Sequence, residues 1–516
     1  MTALRLGVDV GGTNTDAVVV DEAGAVVASQ KVPTTPEPMD GIRAAMSAVI
    51  EQVDRTAIAQ VMLGTTHPAN AIIQRKGLDR IGLLRTAAPS SYAVRPGAAW
   101  PPALAQAILG PTAIVHGGHE YDGREIAALD EDAVRRFAGE CAGQVRAIAV
   151  AAPFSPASYA HEDRAAEIIA EELGDAVAVT VSHEIGSLGL LEREDAAALN
   201  AALLSVSRAV VDGLAQALTD NGLTVDSYLT QNDGTLMTAE QAMKYPVLTL
   251  ASGPTNSMRG ASALAGLTDA IVIDVGGTST DVGILVDGFP RESMHAVEVG
   301  GVRTNFRMPD LISIGLGGGT IVHGTGQVGP DSVGYRVVDE ALVMGGSVPT
   351  LSDVSVRAGR LTGFGDASLA SKLDPAAADA ALAWVDEQVQ VLADRMKASR
   401  QALPLIAVGG GSHLVADVVP GTSEVIKPNH FAVANAYGAA IAEASGEVDR
   451  VYRYDDSSRE ACLEDAKALA IDAAKRAGAD PANTRITTVM EIPMTYVPGG
   501  GCRVQVKAAG PLAPAG

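Results

Sequence analysis

An α/β fold built around a repeated unit is what this sequence predicts, and three observations predict it. The octapeptide Asp9-Val10-Gly11-Gly12-Thr13-Asn14-Thr15-Asp16 returns as Asp274-Val275-Gly276-Gly277-Thr278-Ser279-Thr280-Asp281, and only Asn14 and Ser279 differ. Each copy is entered by an apolar run (Leu4 to Val10; Ala270 to Val275) and left by another (Ala17 to Val20; Val282 to Val286), with a turn at Ala23-Gly24 or Asp287-Gly288. Further along, strand-like apolar runs alternate with stretches of helical period.

Each copy therefore reads as strand, Gly-Gly turn, strand, turn, strand. A dinucleotide-binding glycine loop would have to open a helix. Here the residues after the glycines are β-branched (Thr13, Thr15, Val18, Val19, Val20), which favours strand. Two phosphate-binding hairpins follow, because glycines let backbone N–H groups approach an anion and threonine hydroxyls add donors. Gly11, Gly12 and Thr13, and their counterparts Gly276, Gly277 and Thr278, are the candidate phosphate ligands. Asp9 and Asp274 end their strands where they could hold Mg²⁺.

At 516 residues the chain is too long for one core. Its 47% hydrophobic and 19% charged content is that of a globular protein. A net charge of −23 argues against nucleic acid or an anionic membrane as partner. The three cysteines, Cys141, Cys462 and Cys502, are scattered and form no CxxC, which suits a reducing cytoplasm. No leader pattern and no apolar run of 18 residues are apparent, so no membrane span is expected.

In chain order, Thr34 to Pro38 reads as a turn, and Asp40 caps a helix with apolar Ile42, Met46, Val49, Ile50 and Val53. The strand Val61 to Leu63 runs into Gly64-Thr65-Thr66-His67-Pro68-Ala69-Asn70. Thr65, Thr66 and Asn70 are neutral hydrogen-bonding groups at a strand end, where α/β ligand sites lie; the alternative is a helix-capping pair. The segment His116-Gly117-Gly118-His119-Glu120-Tyr121-Asp122-Gly123 suggests a metal loop or a hairpin corner. After the strand Val145 to Ala152 and a helix near 160–172, a long helix from about Leu188 opens on Glu192, Arg193, Glu194 and Asp195, read as a solvated first turn favoured by the helix dipole. The loop Ser252 to Ser257 precedes a helix over Met258 to Leu267 and could face an anion. Glycine loops follow strands at Gly315 to Thr320, with Gly317 and Gly318, and at Gly409-Gly410-Gly411. A helix containing Asn435 runs from Ala432 to Ala444. From Gly446 the composition shifts toward an Ala-rich helix and two strands joined by a Pro-Gly-Gly-Gly loop, with a frayed end from Ala508 to Gly516.

This pattern resembles the superfamily of actin, sugar kinases and heat-shock chaperone ATPases. The resemblance implies two ribonuclease-H-like domains around a nucleotide cleft, residues 1–190 and 191–446, to which the composition shift adds a small C-terminal α+β module, residues 447–516. It assigns Mg²⁺ to Asp9 and Asp274, phosphates to the Gly-Gly-Thr hairpins, and the nucleoside to Gly409, Gly410 and Gly411, with Asp16 and Asp281 as supporting residues. Over residues 4 to about 445 the chain more closely resembles the A-type subunit of the hydantoinase/oxoprolinase family. Gly7 to Asp16, Gly64 to Lys76, Gly117 to Asp130, Gln231 to Met237, Ser252 to Ala261, Ile273 to Val282, Ser313 to Thr320, Gly329 to Gly334 and Gly409 to Ser412 carry that likeness. It implies ATP-dependent opening of a cyclic amide such as a hydantoin, 5-oxoproline or lactam, with Thr65, Thr66 and Asn70 toward substrate. Related complexes carboxylate ketones, and a regulatory nucleotide switch is the third expectation. A second, B-type subunit and an oligomeric assembly are expected. A histidine common before the family's Gly-Thr-Thr is Leu63 here, and His67-Pro68 replaces apolar residues.

Overall fold

The computed structural model describes residues 3–11, 14–33, 38–455, 457–494 and 501–514. Gly12, Thr13, the expected turn at Thr34 to Pro38 (but for Pro38 itself) and most of the Pro-Gly-Gly-Gly loop lie outside them.

The first hairpin pairs β1 (Leu4–Val10) with β2 (Asn14–Val20), which pairs in turn with β3 (Val26–Pro33), all antiparallel. β4 (Ile58–Thr65) runs parallel to the other side of β1. A separate parallel sheet has the order β6-β5-β7-β8, from β5 (Ile81–Ala88), β6 (Leu109–His116), β7 (Ala147–Ala151) and β8 (Ala178–Val181). The chain then returns to the first sheet with β9 (Asp226–Thr230), parallel to β4, and β10 (Leu236–Thr238).

The second copy repeats this plan. β11 (Ala270–Val275) and β12 (Thr280–Val286) form the hairpin, and β13 (Phe289–Pro290) pairs outside β12. Small strands β14 (Val297–Val299), β15 (Val302–Thr304), β16 (Leu311–Ile314), β17 (Thr320–His323) and β18 (Gln327–Ser332) follow. β19 (Leu405–Val408) lies parallel to β11, and β20 (Val425–Ile426) parallel to β19. Both sheets thus share one order, β3-β2-β1-β4-β9 and β13-β12-β11-β19-β20, with the same senses. That is the ribonuclease-H-like arrangement, present twice.

The first sheet continues past β9 through β10 to β21 (Ala444–Arg453), β23 (Gly501–Gly510) and β22 (Arg485–Pro493). Strands on either side of residue 190, and on either side of residue 446, therefore share one sheet. Ala508 to Gly510, expected to fray, are held in β23 between both neighbours, Gly510 facing Ala444. The ladder supplies partners for their backbone groups that a frayed end lacks.

Alternation along β1 sorts its side chains between two faces. Leu6 and Val8 pack toward the helices Pro38–Ile50 and Leu190–Asp220, through Ile42, Met46, Val210 and Leu214. Gly7 and Asp9 point the other way, toward the helix Ala434–Ile441. A Cβ on Gly7 would lie 2.1 Å from the Ala436 carbonyl oxygen, so only glycine lets this helix approach. Under the second sheet the helix Ser252–Ala265 takes the same place, with Met258 and Ala261 against Ala270 and Val272. The two helices cross at a glycine contact. A Cβ on Gly260 would sit 1.9 Å from the Ala434 carbonyl oxygen, and one on Gly438 1.9 Å from that of Asn256.

Among the described residues one helix, Leu190–Asp220, is long and apolar enough to cross a membrane; most of it is buried in this fold. Its first turns are not solvated as expected. Arg193, Glu194 and Asp195 are buried because the four-stranded sheet packs over them. Glu194 takes a two-pronged bond from Arg85 at 2.6 and 2.7 Å, and Asp195 accepts the Trp100 indole N–H at 2.7 Å. Asn200 is structural, its amide donating to the Lys244 carbonyl at 2.9 Å.

Candidate active site

The two hairpins hold four aspartates in two facing pairs. Register sets Asp9 opposite Asp16, and Asp274 opposite Asp281. The hairpin turns close alike, Gly11 N–H to the Asn14 carbonyl at 3.0 Å and Gly276 N–H to that of Ser279 at 2.9 Å. Each leading aspartate lies against a glycine at the end of the neighbouring parallel strand. A Cβ on Gly64 would be 2.2 Å from Asp9 Oδ1, and one on Gly409 2.2 Å from Asp274 Oδ1.

Asp9 is buried and accepts one amide N–H from each crossing helix: Asn256 at 3.1 Å on Oδ1 and Asn435 at 3.0 Å on Oδ2. Asn435 also donates to Asp16 Oδ2 at 3.0 Å, and Lys31 on β3 pairs with Asp16 Oδ1 at 2.5 Å. Burial pushes the Asp9 carboxyl up to about 6, against the two amides and with help from the charges of Asp16 and Asp274. Asp16 is also raised by burial, and Lys31 opposes the shift. Asp274 is raised by burial, opposed by a hydrogen bond from Ser257 and by the charge of Lys31, with Asp16 adding to it. Asp281 is pushed up to about 6 by burial; the Ser313 hydroxyl, which donates to Oδ1, works against this and the Asp274 charge works with it. Asn256 bonds Asp9 and its neighbour Ser257 bonds Asp274, and charges on one hairpin act on carboxylates of the other, so the two hairpins lie close together.

Lys31, Asn256 and Asn435 carry this arrangement; the sequence reading gave Lys31 and Asn435 no role and set Asn256 in a loop facing an anion rather than against Asp9. One signal was present for Lys31: counting back from the Ala23-Gly24 turn sets residue 31 opposite residue 16, the register the sheet adopts. Ser252 to Ser257, expected as an anion-facing loop, are already helix. Ser252 Oγ donates to the Thr65 carbonyl at 3.0 Å, so it braces β4.

The remaining candidates divide. Thr65 Oγ1 accepts the N–H of His67, the first residue of the helix His67–Gln74, at 3.1 Å; the N-cap position itself is Thr66. Thr66 Oγ1 donates to the Val10 carbonyl at 3.2 Å and accepts from Asn70 at 3.3 Å, which ties Asn70 to the start of the first hairpin turn. Gly317 and Gly318 are buried. Gly317 N–H bonds Thr320 Oγ1 at 2.8 Å, closing its own loop, and Gly318 N–H bonds the Gly276 carbonyl at 3.0 Å, bracing the second hairpin. Gly409 and Gly411 N–H groups are engaged with the Phe431 and Val275 carbonyls, at 2.9 and 2.7 Å. Gly410 and Thr278 are exposed, and space beside Gly410 is open. Gly277 is half-buried beside them.

A duplicated ribonuclease-H-like fold with an acidic glycine hairpin in each half defines the class of actin-like ATPases. Within it, the model described as "Hydantoinase/oxoprolinase N-terminal region" matches residues 5–173, and the model "Hydantoinase/oxoprolinase" matches residues 193–383. The chain belongs to the hydantoinase/oxoprolinase family. The caprolactamase subunit alpha of Pseudomonas jessenii is 29% identical over 388 residues, 69% of this chain and 54% of that protein. The acetophenone carboxylase gamma subunit of Aromatoleum aromaticum is 29% identical over 393 residues, 68% of this chain and 52% of that one. The chain spans about half the length of these curated relatives. Among solved structures, the ATP-dependent caprolactamase from Pseudomonas jessenii superposes with a TM-score of 0.78 at 20% identity, covering 99% of this chain and 88% of that one. Nucleotide-free acetone carboxylase superposes with 0.70 at 18%, covering 100% and 89%. Both show the same fold.

Proposed function

We propose that this chain is an ATP-dependent hydrolase of a cyclic amide, or the ATPase subunit of one, with its phosphate site between the two hairpins. The observation that carries the reading is the convergence of Asp9, Asp16, Asp274 and Asp281, three of them raised by the charge of another. Lys31 is the cation that opposes the rise of Asp16 and Asp274. Carboxylates that repel one another in a buried site favour a bound cation. The donor set therefore fits Mg²⁺, with Asp9 and Asp274 as its holders; when bound, the ion neutralises charge on the nucleotide phosphates.

The chain's own groups do the rest. Backbone N–H groups of the hairpin turns and Thr278 hydrogen-bond phosphate oxygens. Gly410 leaves room for the nucleoside. Gly64 and Gly409 keep each leading carboxylate at its strand end, and Asn256 with Asn435 fixes the Asp9 carboxyl plane. An unstrained amide is a poor electrophile. Transfer of the γ-phosphoryl group to its oxygen gives an imidate phosphate with a good leaving group, which water then attacks. Thr66 and Asn70, beside the first hairpin, are the groups proposed to face substrate.

A relative named as an acetophenone carboxylase subunit supports a second reading, the ATPase subunit of a ketone carboxylase. That relatives are alpha, beta and gamma subunits supports a partner polypeptide under either reading. The test is ADP release by the purified chain with Mg·ATP, offered hydantoins, 5-oxoproline, lactams and ketones, with and without bicarbonate. Stimulation by a cyclic amide without bicarbonate supports the first reading. Ketone stimulation that needs bicarbonate supports the second. Absence of Mg·ATP binding by calorimetry overturns both.

A further inference from the structure

A second cluster lies away from the hairpins, at the carboxyl ends of the four-stranded parallel sheet. β6 leaves the sheet at His116, and the loop that follows folds back on itself. His119 bridges Glu125 as in an antiparallel pair, and Glu120 N–H bonds the Arg124 carbonyl at 2.8 Å. This fold of the loop corrects the sequence reading of which residues gather. His116 is exposed and Asp122 is engaged by Arg124 at 2.7 Å, whereas His119 turns inward to His161, second residue of the helix Ala160–Leu173. The two imidazole rings are 4.2 Å apart between centroids, and His161 Nε2 is 3.4 Å from Glu125 Oε1. One ligand atom from each of His119, Glu125 and His161 lies within 4.8 Å of the others.

Two observations set this cluster apart from an ordinary packed corner. His119 is only 5% exposed, and its Nδ1 atom has no hydrogen-bond partner among the described residues. Thr86 Oγ1, near the end of β5, is fully buried and likewise unpartnered among the described residues; a Cβ on Gly117 would meet Thr86 Cβ at 3.3 Å and His161 Nδ1 at 3.4 Å. Buried polar atoms are nearly always satisfied, so an orphaned imidazole nitrogen calls for a partner that protein atoms do not supply. The position is also the one where open parallel sheets bind ligands: outside the strand ends, where β6 and β7 depart to opposite sides of β5.

We propose that His119, Glu125 and His161 bind a divalent transition metal of the zinc class, separate from the Mg·ATP site. Two imidazoles and a carboxylate are a common zinc donor set, and three protein ligands leave a fourth position for water. Glu125 is 56% exposed and gives the ion a route in from solvent. The hydrogen bonding of His161 adds a condition. Gly118 N–H donates to its Nδ1 at 2.9 Å, which leaves the ring proton on Nε2, facing Glu125. A ligating imidazole needs the opposite tautomer, with Nε2 bare and Nδ1–H donating to a carbonyl. Rotation of the peptide between Gly117 and Gly118 exchanges the Gly118 N–H for the Gly117 carbonyl and supplies that acceptor. Both residues are glycines at positive φ, +147° and +87°, so the chain can take either orientation without a side chain in the way. The acidic residues Glu162 and Asp163 in the first turn offset the positive end of the helix that carries His161.

The experiment is a Co²⁺ and Zn²⁺ titration of the full chain after chelator treatment, with Co²⁺ followed by its visible absorption and Zn²⁺ by calorimetry. One equivalent is expected to bind, with the absorption of a four-coordinate nitrogen and oxygen site. His119→Gln and His161→Gln are each expected to weaken binding by at least about 100-fold, beyond the effect of losing an outer partner. Glu125→Gln, at a half-exposed position that spares the core, is expected to weaken it less but measurably. Mg·ATP affinity should be unchanged in all three variants, which also verifies that they fold. Failure of the unmodified chain to take up either ion overturns the proposal, and so does equal uptake by the folded histidine variants.

Discussion

The two copies of the hairpin are nearly identical in sequence and differ in what surrounds their aspartates. In the first, Asp16 is held by an ammonium and an amide, Lys31 and Asn435. In the second, Asp281 has the Ser313 hydroxyl for a partner and is pushed up to about 6. Asp9 is gripped by amides from both crossing helices, whereas the bond that opposes the rise of Asp274 comes from Ser257 on one of them. The repeat thus fixes where four carboxylates stand, and residues outside it decide what opposes their rise. Each half holds one carboxyl pushed up to about 6, Asp9 in the first and Asp281 in the second, against amides in one case and a single hydroxyl in the other.

The largest expected effect tests whether both halves serve one site. Asp9→Asn and Asp274→Asn should each lower ADP release by about 100- to 1,000-fold, the scale of losing one preorganised electrostatic group. A coupled steady-state assay measures this, alongside calorimetric ATP binding. Turnover lost in one variant but kept in the other would separate the halves and assign the chemistry to a single hairpin.

Next come the glycines that seat these carboxylates. Gly64→Ala and Gly409→Ala each drive a methyl group into an aspartate oxygen, which should cost about 1–3 kcal/mol in chemical denaturation. Gly409 also has a φ of +86°, so its variant should lose about 1–2 kcal/mol more. Equal losses would mean the second hairpin relaxes around the new side chain.

Much of this layout was legible in the sequence, and the limits are physical. The repeated octapeptide announced the hairpins, and β-branched residues after the glycines excluded a helix-opening loop. Gly64 and Gly409 were visible as glycines at strand ends. Asn435 was visible only as part of a small-residue helix, and Asn256 only as part of a loop expected to face an anion. They reach Asp9 across separations of 247 and 426 residues because two helices cross at Gly260 and Gly438, and no local pattern encodes that crossing. Arg193 and Glu194 misled for the same reason: an acidic first turn looks solvated until a sheet from another part of the chain covers it. The end of the chain misled because β23 is held by partners from β21 and β22 rather than by its own composition.

Lys31 gives the third prediction. Lys31→Met leaves Asp16 buried without its ammonium and removes a charge that also lowers Asp274. Both carboxyls should then rise further, and Mg·ATP affinity should fall about tenfold at neutral pH, an effect of roughly one coupled charge contact. Lys31→Arg should restore most of it. An unchanged affinity would confine Lys31 to bracing the β2–β3 pair.

The smallest effect is the most specific to the second hairpin. Asp9 and Asp281 titrate near 6 in the folded chain and near the ordinary aspartate value when unfolded. Between those values the folded state binds more protons than the unfolded state, so stability falls as pH rises from about 4 to about 6 and then levels off. Thermal unfolding without nucleotide should show that decline, and Mg²⁺ should raise the melting temperature more above pH 6 than below it, since the ion needs ionised carboxylates. Ser313→Ala removes the one hydrogen bond that opposes the rise of Asp281, so the midpoint of the Mg²⁺ effect should move upward in pH. In Asp281→Asn that part of the profile should vanish while the Asp9 part remains. A Ser313→Ala profile that overlays the unmodified chain would mean that Asp281 does not report on the ion, and the asymmetry between the hairpins would then rest on Lys31, Asn256 and Asn435.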